Sequence, residues 1–360
     1  MIPHVKLQLG KEEEDRVIEV LRSGMLAAGS YVQEFEDEFK RYHGSGYGVA
    51  TSSGTTALHV ILEAMGIGAG DKVITTPFSF IATSNAILYT GATPVFADID
   101  PVTYNLSPAA LDNAVKDHPE AKAVIVVHLF GLPADMDEIL AIANKNNLIV
   151  IEDCAQAHGA IYRNKKVGIL GKASAFSFYP SKNITSGEGG MVLTDDPMIA
   201  EKVRILVNQG QRRRYYHEMV GYNYRMTNIH AAIGLEQLKK LDIYNQKRIE
   251  NAKFYDDHIV NQGIQKPVLP PDRKHVYHQY TLKVDNRSAL TACLDANGIG
   301  YGIHYPLIMP AQPAYKNIAT CAGAWPVAED LADCCVSIPV HPALSRNELT
   351  TIVEVINNYR

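Results

Sequence analysis

A single tryptophan, five cysteines, little net charge and no long apolar run mark what this 360-residue chain is short of. No stretch approaches the roughly 18 uninterrupted apolar residues of a membrane-crossing helix, and Met1 to Gly10 lacks a basic region followed by an apolar core. The chain therefore reads as cytoplasmic, with no membrane partner. Cys154, Cys293, Cys321, Cys334 and Cys335 are odd in number and show no CxxC spacing, so they read as reduced, small apolar residues with no metal or disulfide site. Thirty-four Lys and Arg against 39 Asp and Glu leave −5 with His neutral. That balance argues against nucleic acid, which needs a clustered positive field. What remains is an ordinary globular composition, 46% apolar and 20% charged, in a chain long enough for one large domain with a smaller one beside it.

No repeat, low-complexity tract or charged tail is present, so organisation comes from the alternation of element types. From Ala50 onward, β-type runs at Asp71–Thr75, Thr93–Ala97, Ala123–Val127 and Leu148–Glu152 alternate with helical patterns. One such helix opens at Gly54, with Leu58, Ile61, Leu62 and Met65 on one face. This succession predicts a parallel sheet covered on both sides. A long helix starts near Thr227, with Ile229, Ala232, Ile233, Leu238 and Leu241 as its stripe, and the Pro-rich Lys266–Pro271 follows as a boundary signal. Beyond it the pattern predicts a strand (Tyr277–Val284), a helix (Ser288–Asn297), a strand (Gly300–His304) and a last helix from Ser345 with Glu348 in capping-box register. The expected division is 1–240 for a large α/β domain and 241–360 for a small α+β domain.

Three segments carry chemistry. The strand ending at Ile151 runs into Glu152 and Asp153, and the carboxyl ends of parallel strands face the ligand crevice. An acid directly after four apolar residues must meet a cation or a protonated ligand nitrogen if buried, although a helix-capping Asp would look the same. Lys182 lies between the short apolar run Ala175–Phe178 and the turn Gly187-Glu188-Gly189-Gly190. A lysine so placed is poorly positioned for a solvated role and, partly desolvated, is the kind that forms Schiff bases. Thr51-Ser52-Ser53-Gly54-Thr55-Thr56 precedes a helical stripe, either as an N-cap cluster or as a phosphate cradle. Cradle, carboxylate and internal lysine together match the needs of pyridoxal 5′-phosphate (PLP).

These segments, with Thr76-Pro77-Phe78-Ser79-Phe80, Ala97-Asp98-Ile99-Asp100, His128-Leu129-Phe130-Gly131, Gly221-Tyr222-Asn223-Tyr224-Arg225-Met226 and Ile303-His304-Tyr305-Pro306, resemble the DegT/DnrJ/EryC1/StrS sugar aminotransferases over nearly the whole chain. The resemblance implies the fold type I, aspartate aminotransferase-like architecture of PLP-dependent transferases, with a mixed, mostly parallel sheet. It implies that Lys182 holds the cofactor covalently and, once freed, moves the substrate proton. Asp153 would keep the pyridine nitrogen protonated, Gln156 would lie beside the phenolic oxygen and Phe80 would stack on the ring. Gly54, Thr55 and Ser177 would donate to the phosphate, as would Asn223 from the partner subunit of a homodimer. Arg225, His304 and Tyr305 are the expected substrate contacts, each with a plain packing or pairing alternative. The run Arg212-Arg213-Arg214-Tyr215-Tyr216 reads as a solvated loop.

The implied activity is transfer of the amino group of glutamate to a nucleotide-linked keto-sugar, for cell-surface polysaccharide such as lipopolysaccharide O-antigen. The motifs favour a 4-keto-6-deoxyhexose, with amination at C3 as the alternative. Sugar dehydratases of the family carry a His where Lys182 stands. A PLP-binding regulator without turnover would not need Lys182, Asp153 and Gln156 together. A dinucleotide-binding dehydrogenase is disfavoured because Gly44-Ser45-Gly46-Tyr47-Gly48 precedes its apolar strand. Two positions depart from the family pattern: Met25, where an aromatic residue is frequent, and Cys154, where Ala is usual.

Overall fold

A computed structural model describes residues 1–359. Seven strands form the central sheet: β1 (Tyr47–Thr51), β2 (Lys72–Thr75), β3 (Thr93–Phe96), β4 (Ala123–Val127), β5 (Ile149–Asp153), β6 (Ala173–Ser177) and β7 (Gly190–Thr194), in spatial order β1-β7-β6-β5-β4-β2-β3. The block from β3 to β6 is parallel, whereas β7 runs antiparallel to both its neighbours. All five residues of β4 are buried. This is the pattern of a parallel strand covered on both faces, and it explains why the apolar runs were readable.

Apolar residues on the two faces of the sheet form separate cores. On one side, α1 (Lys11–Ser23) and α2 (Ser30–His43) pack against the long helix described below, and Phe35, Phe39, Phe176 and Phe178 interlock there. On the other, α3 (Gly54–Ala64) buries Leu58, Ile61 and Leu62, as its stripe requires. The helices α4 (Ala82–Tyr89), α5 (Pro108–Asp117), α6 (Met136–Lys145) and α7 (Pro197–Val207) complete the cover.

The helix α8 (Asn228–His258) is 31 residues long and is capped by the Thr227 side chain, which accepts from the His230 amide. The expected boundary at 240/241 falls inside it. Its second half packs into the core of a small antiparallel sheet, β8 (Ile264–Gln265), β9 (Tyr280–Val284) and β10 (Cys335–Ile338), with α9 (Arg287–Ala296), α10 (Pro326–Cys334) and α11 (Arg346–Asn358). Ser345 caps α11 in a capping box with Glu348, and Leu349, Ile352, Val353 and Ile356 are buried, as the spacing predicts.

Two expected strands differ. Strand β9 starts at Tyr280 because Tyr277 takes a left-handed φ of 43°, which turns 275–279 out of the ladder. The segment 300–304 makes one bridge, Gly302 to Ser337, while the Gly300 amide donates to Ile2. Both irregular segments deliver side chains to the site. Among the described residues, no helix is long and apolar enough to cross a membrane.

Glu152 is buried and fully satisfied. Its carboxylate accepts from the amides of Gly168, Leu170 and Gly171 at 2.7–2.8 Å and from His128 Nε2 at 3.0 Å. The Ala134 amide donates to His128 Nδ1, which assigns the ring proton to Nε2. Cys154 approaches the same pair, but their hydrogen-bonding capacity is spent on protein groups. Burial alone would raise the Glu152 pKa, and the His128 and amide hydrogen bonds outweigh it to hold the carboxyl below its usual range. Glu152→Ala should therefore lower unfolding stability by about 3 kcal/mol in denaturant titration. Because the folded pKa is depressed, this contribution is present above the unfolded pKa and is lost as pH falls through the folded one.

Candidate active site

The carboxyl ends of β4, β5 and β6 open onto a cavity of about 470 Å³, bounded by the start of α3 and by the segments around Phe80, Lys182, His278 and His304. Of the residues named from sequence, Gly54, Thr55, Phe80, Asp153, Gln156, Ser177, Lys182, His304 and Tyr305 all line it. Asn223 and Arg225 do not. Asn223 is exposed and bridges to Asn208, and the Arg225 guanidinium donates to the Asn208 side-chain oxygen at 2.8 Å.

The floor begins at α3. Ser53 is its N-cap and accepts from the Thr56 amide, so the amides of Gly54 and Thr55 are left for a ligand. Gly54 is needed sterically as well, since a Cβ there would lie 2.7 Å from Ser177 Cβ. Glycine at the helix start and serine at the end of β6 thus make a cradle of the size and polarity that a phosphate takes.

Asp153 ends β5 and is buried. One oxygen accepts from the Thr83 hydroxyl at 2.8 Å, the other from the Ala155 amide at 3.1 Å. Burial pushes its carboxyl upward, against the Ala155 and Thr83 hydrogen bonds and the charge of Lys182. The carboxylate is therefore held in place by neutral donors and can still meet a protonated ring nitrogen. Gln156 is fixed from both ends, with Oε1 accepting from the Phe130 amide at 2.7 Å and Nε2 donating to the Tyr305 hydroxyl at 2.9 Å. Phe80 is 56% exposed, a bare aromatic face at the mouth of the cavity.

Lys182 sits in a turn whose next residue anchors it. The Asn183 amide group donates to Asn245 of α8 at 2.8 Å and to the Val276 carbonyl at 3.0 Å. Among the described residues Lys182 makes no ion pair within 4.0 Å, and burial pushes its ammonium from 10.5 down to about 8, with Asp153 pulling the other way. At pH 7 such an amine is neutral about 300-fold more often than an ordinary lysine. Uptake of PLP by cofactor-free protein should accelerate as pH rises and level off above a midpoint near 8, followed by the visible absorbance. A midpoint near 10.5 would contradict the desolvated lysine.

Several lining residues escaped the sequence reading. Thr83, three residues beyond the quoted Thr76–Phe80 run, gave no sign of its bond to Asp153. His278 and Gln279 reach the cavity only because 275–279 leaves the ladder. His278 is held well below its usual pKa by burial and Lys182, and His304 is pushed down to about 4 by the same two causes. Glu188 also lines the cavity. The run around Arg212 forms an exposed hairpin in which Arg212 pairs with Glu201 and Glu218, in keeping with a solvated role. Met25 is exposed, and Cys154 is buried.

A desolvated lysine, a buried acid, an amide-lined cradle and an open aromatic face fit PLP, and the comparisons agree. UDP-N-acetyl-3-dehydro-alpha-D-glucosamine 3-aminotransferase of Acidithiobacillus ferrooxidans is 40% identical over 94% of this chain and 90% of its own. GDP-perosamine synthase of Caulobacter vibrioides is 39% identical over 97% and 96%. The crystal structure of S. venezuelae DesV superposes with a TM-score of 0.95 at 36% identity, covering 99% of this chain and 98% of that one. The model of the DegT/DnrJ/EryC1/StrS aminotransferase family matches residues 7–357, and the chain belongs to that family.

Proposed function

We propose that this protein is a PLP-dependent aminotransferase that moves the amino group of glutamate onto a nucleotide-linked keto-hexose, in the cytoplasm, for cell-surface glycan assembly. The observation that carries the reading is a lysine brought to about 8 by burial in a cavity that also holds Asp153. When bound, PLP supplies the carbonyl carbon that receives the amino group and the ring that takes up the substrate's electron pair.

The chain's own residues do the rest. Gly54, Thr55 and Ser177 hold the phosphate, and Asp153 holds a proton on the ring nitrogen. Gln156, braced by Phe130 and Tyr305, orients the ring at its phenolic oxygen. Lys182 Nζ, its pKa brought down to about 8 by burial, takes the proton from the amino-bearing carbon of glutamate and returns one to the sugar carbon. Phe80 covers the ring and keeps water from that side. His304 and Tyr305 contact the hexose.

The reading includes a homodimer. Asn223 and Arg225 lie outside the cavity of their own chain, which supports their serving the phosphate and the sugar nucleotide of a partner.

For the carbon that receives nitrogen, C3 is the first reading in place of C4. The relative named for 3-amination is the more similar of the two named sugar enzymes, by a single percentage point. C4 stands second, favoured by the perosamine synthase and by Tyr222–Met226. A panel of 3-keto and 4-keto sugar nucleotides incubated with glutamate tests this, with product mass and NMR as readouts. A 3-amino sugar and release of 2-oxoglutarate are expected. A 4-amino product overturns the position, and no amination of any member overturns the activity.

A further inference from the structure

Lys182 also borders a second cavity, of about 20 Å³, whose wall shares no other residue with the large one. That is room for one particle of water size. Its wall includes Lys6, Lys182 and Arg248 and no Asp or Glu. Glu13, the acid nearest in the hydrogen-bond network, is turned to Lys240, Gln237 and the Gly10 amide.

Arg248 is 5% exposed and, among the described residues, has no carboxylate within ion-pair distance. One of its nitrogens donates to the carbonyls of Tyr277 and His278, while Nε has no acceptor among the described residues. Three imidazoles feel its charge. His4, His278 and His341 are each held below their ordinary pKa by burial first and by nearby cations including Arg248. A buried guanidinium without a counter-charge is costly, and a cavity wall that carries three cationic side chains and no Asp or Glu favours an anion.

We propose that this small cavity is a binding site for one halide-sized monovalent anion, chloride in the cell, which serves as the counter-ion of Arg248. A carboxylate or phosphate is too large for the space. The exposed segment Val5-Lys6-Leu7 forms the outer wall, so an ion can enter without passing through the active site.

The test is crystallographic and thermal. Crystals of the native protein grown in bromide should give an anomalous peak in the cavity beside the Arg248 guanidinium. The native protein's melting temperature should rise by about 2 °C when gluconate is replaced by chloride at roughly ten times its Kd. Arg248→Met should remove that dependence. A cavity holding only water in bromide-grown crystals overturns the proposal, even if the variant fails to fold. So does a melting temperature in native protein that is the same in both salts, or an equal chloride dependence in Arg248→Met.

Discussion

Lys182→Ala is expected to lower the rate of amino transfer from glutamate by about 10⁴-fold, the upper range for a positioned acid-base group whose removal also ends covalent attachment. Cavity geometry should survive, because the turn is held by its backbone and by Asn183. The Lys182 amide donates to the Tyr179 carbonyl, and Asn183 bonds to Asn245 and Val276. The variant should accordingly fold, bind PLP reversibly and lose the pH-dependent uptake with its midpoint near 8. Stopped-flow absorbance with glutamate, alongside coupled assay of 2-oxoglutarate, measures both. Retention of more than a tenth of the native rate would remove Lys182 from the proton-transfer role.

Asp153→Asn comes next in size, with an expected loss of about 10³-fold in kcat. An amide is nearly isosteric with the carboxylate and can still accept from Thr83 or Ala155, so packing is kept. What it removes is the negative charge that keeps a proton on the ring nitrogen. The drop should fall on kcat, with KM for glutamate changed little, if the buried Asp153 meets the ring nitrogen and not the substrate. Equal loss in Thr83→Val would mean that orientation of the acid, not its charge, is limiting. Steady-state kinetics on the three proteins, with circular dichroism to confirm folding, separates these outcomes.

The legible parts of this molecule were those in which one local pattern serves one structural purpose. Buried parallel strands such as β4 announce themselves as unbroken apolar runs, and the capping residues Ser53, Thr227 and Ser345 announce helix starts. Lys182, Asp153 and the Gly54 cradle were visible for a related reason: each is a polar residue set against an apolar element. The adjacent acids Glu152 and Asp153 could not be told apart by that rule. Alternation along β5 sends one to the His128 and amide network and the other to the cavity, and only packing reveals which. His278 and Gln279 were hidden differently, because a left-handed φ at Tyr277 has no apolar signature. Thr83 and Tyr305 act through contacts with residues 70 and 149 positions away, a separation that no local spacing can encode.

The helix α8 has a mechanical consequence. At about 1.5 Å per residue its 31 residues form a shaft of roughly 46 Å, seated in the aromatic core beside the large sheet at one end and, through Tyr255, against Tyr280 and Leu282 at the other. Because this shaft is continuous and gripped at both ends, the small domain cannot swing on it as on a flexible tether. Any closing over the cavity has to proceed by sliding of packed side chains along the shaft and by adjustment in the irregular segments 275–279 and 300–305. These are the stretches that carry His278, Gln279, His304 and Tyr305.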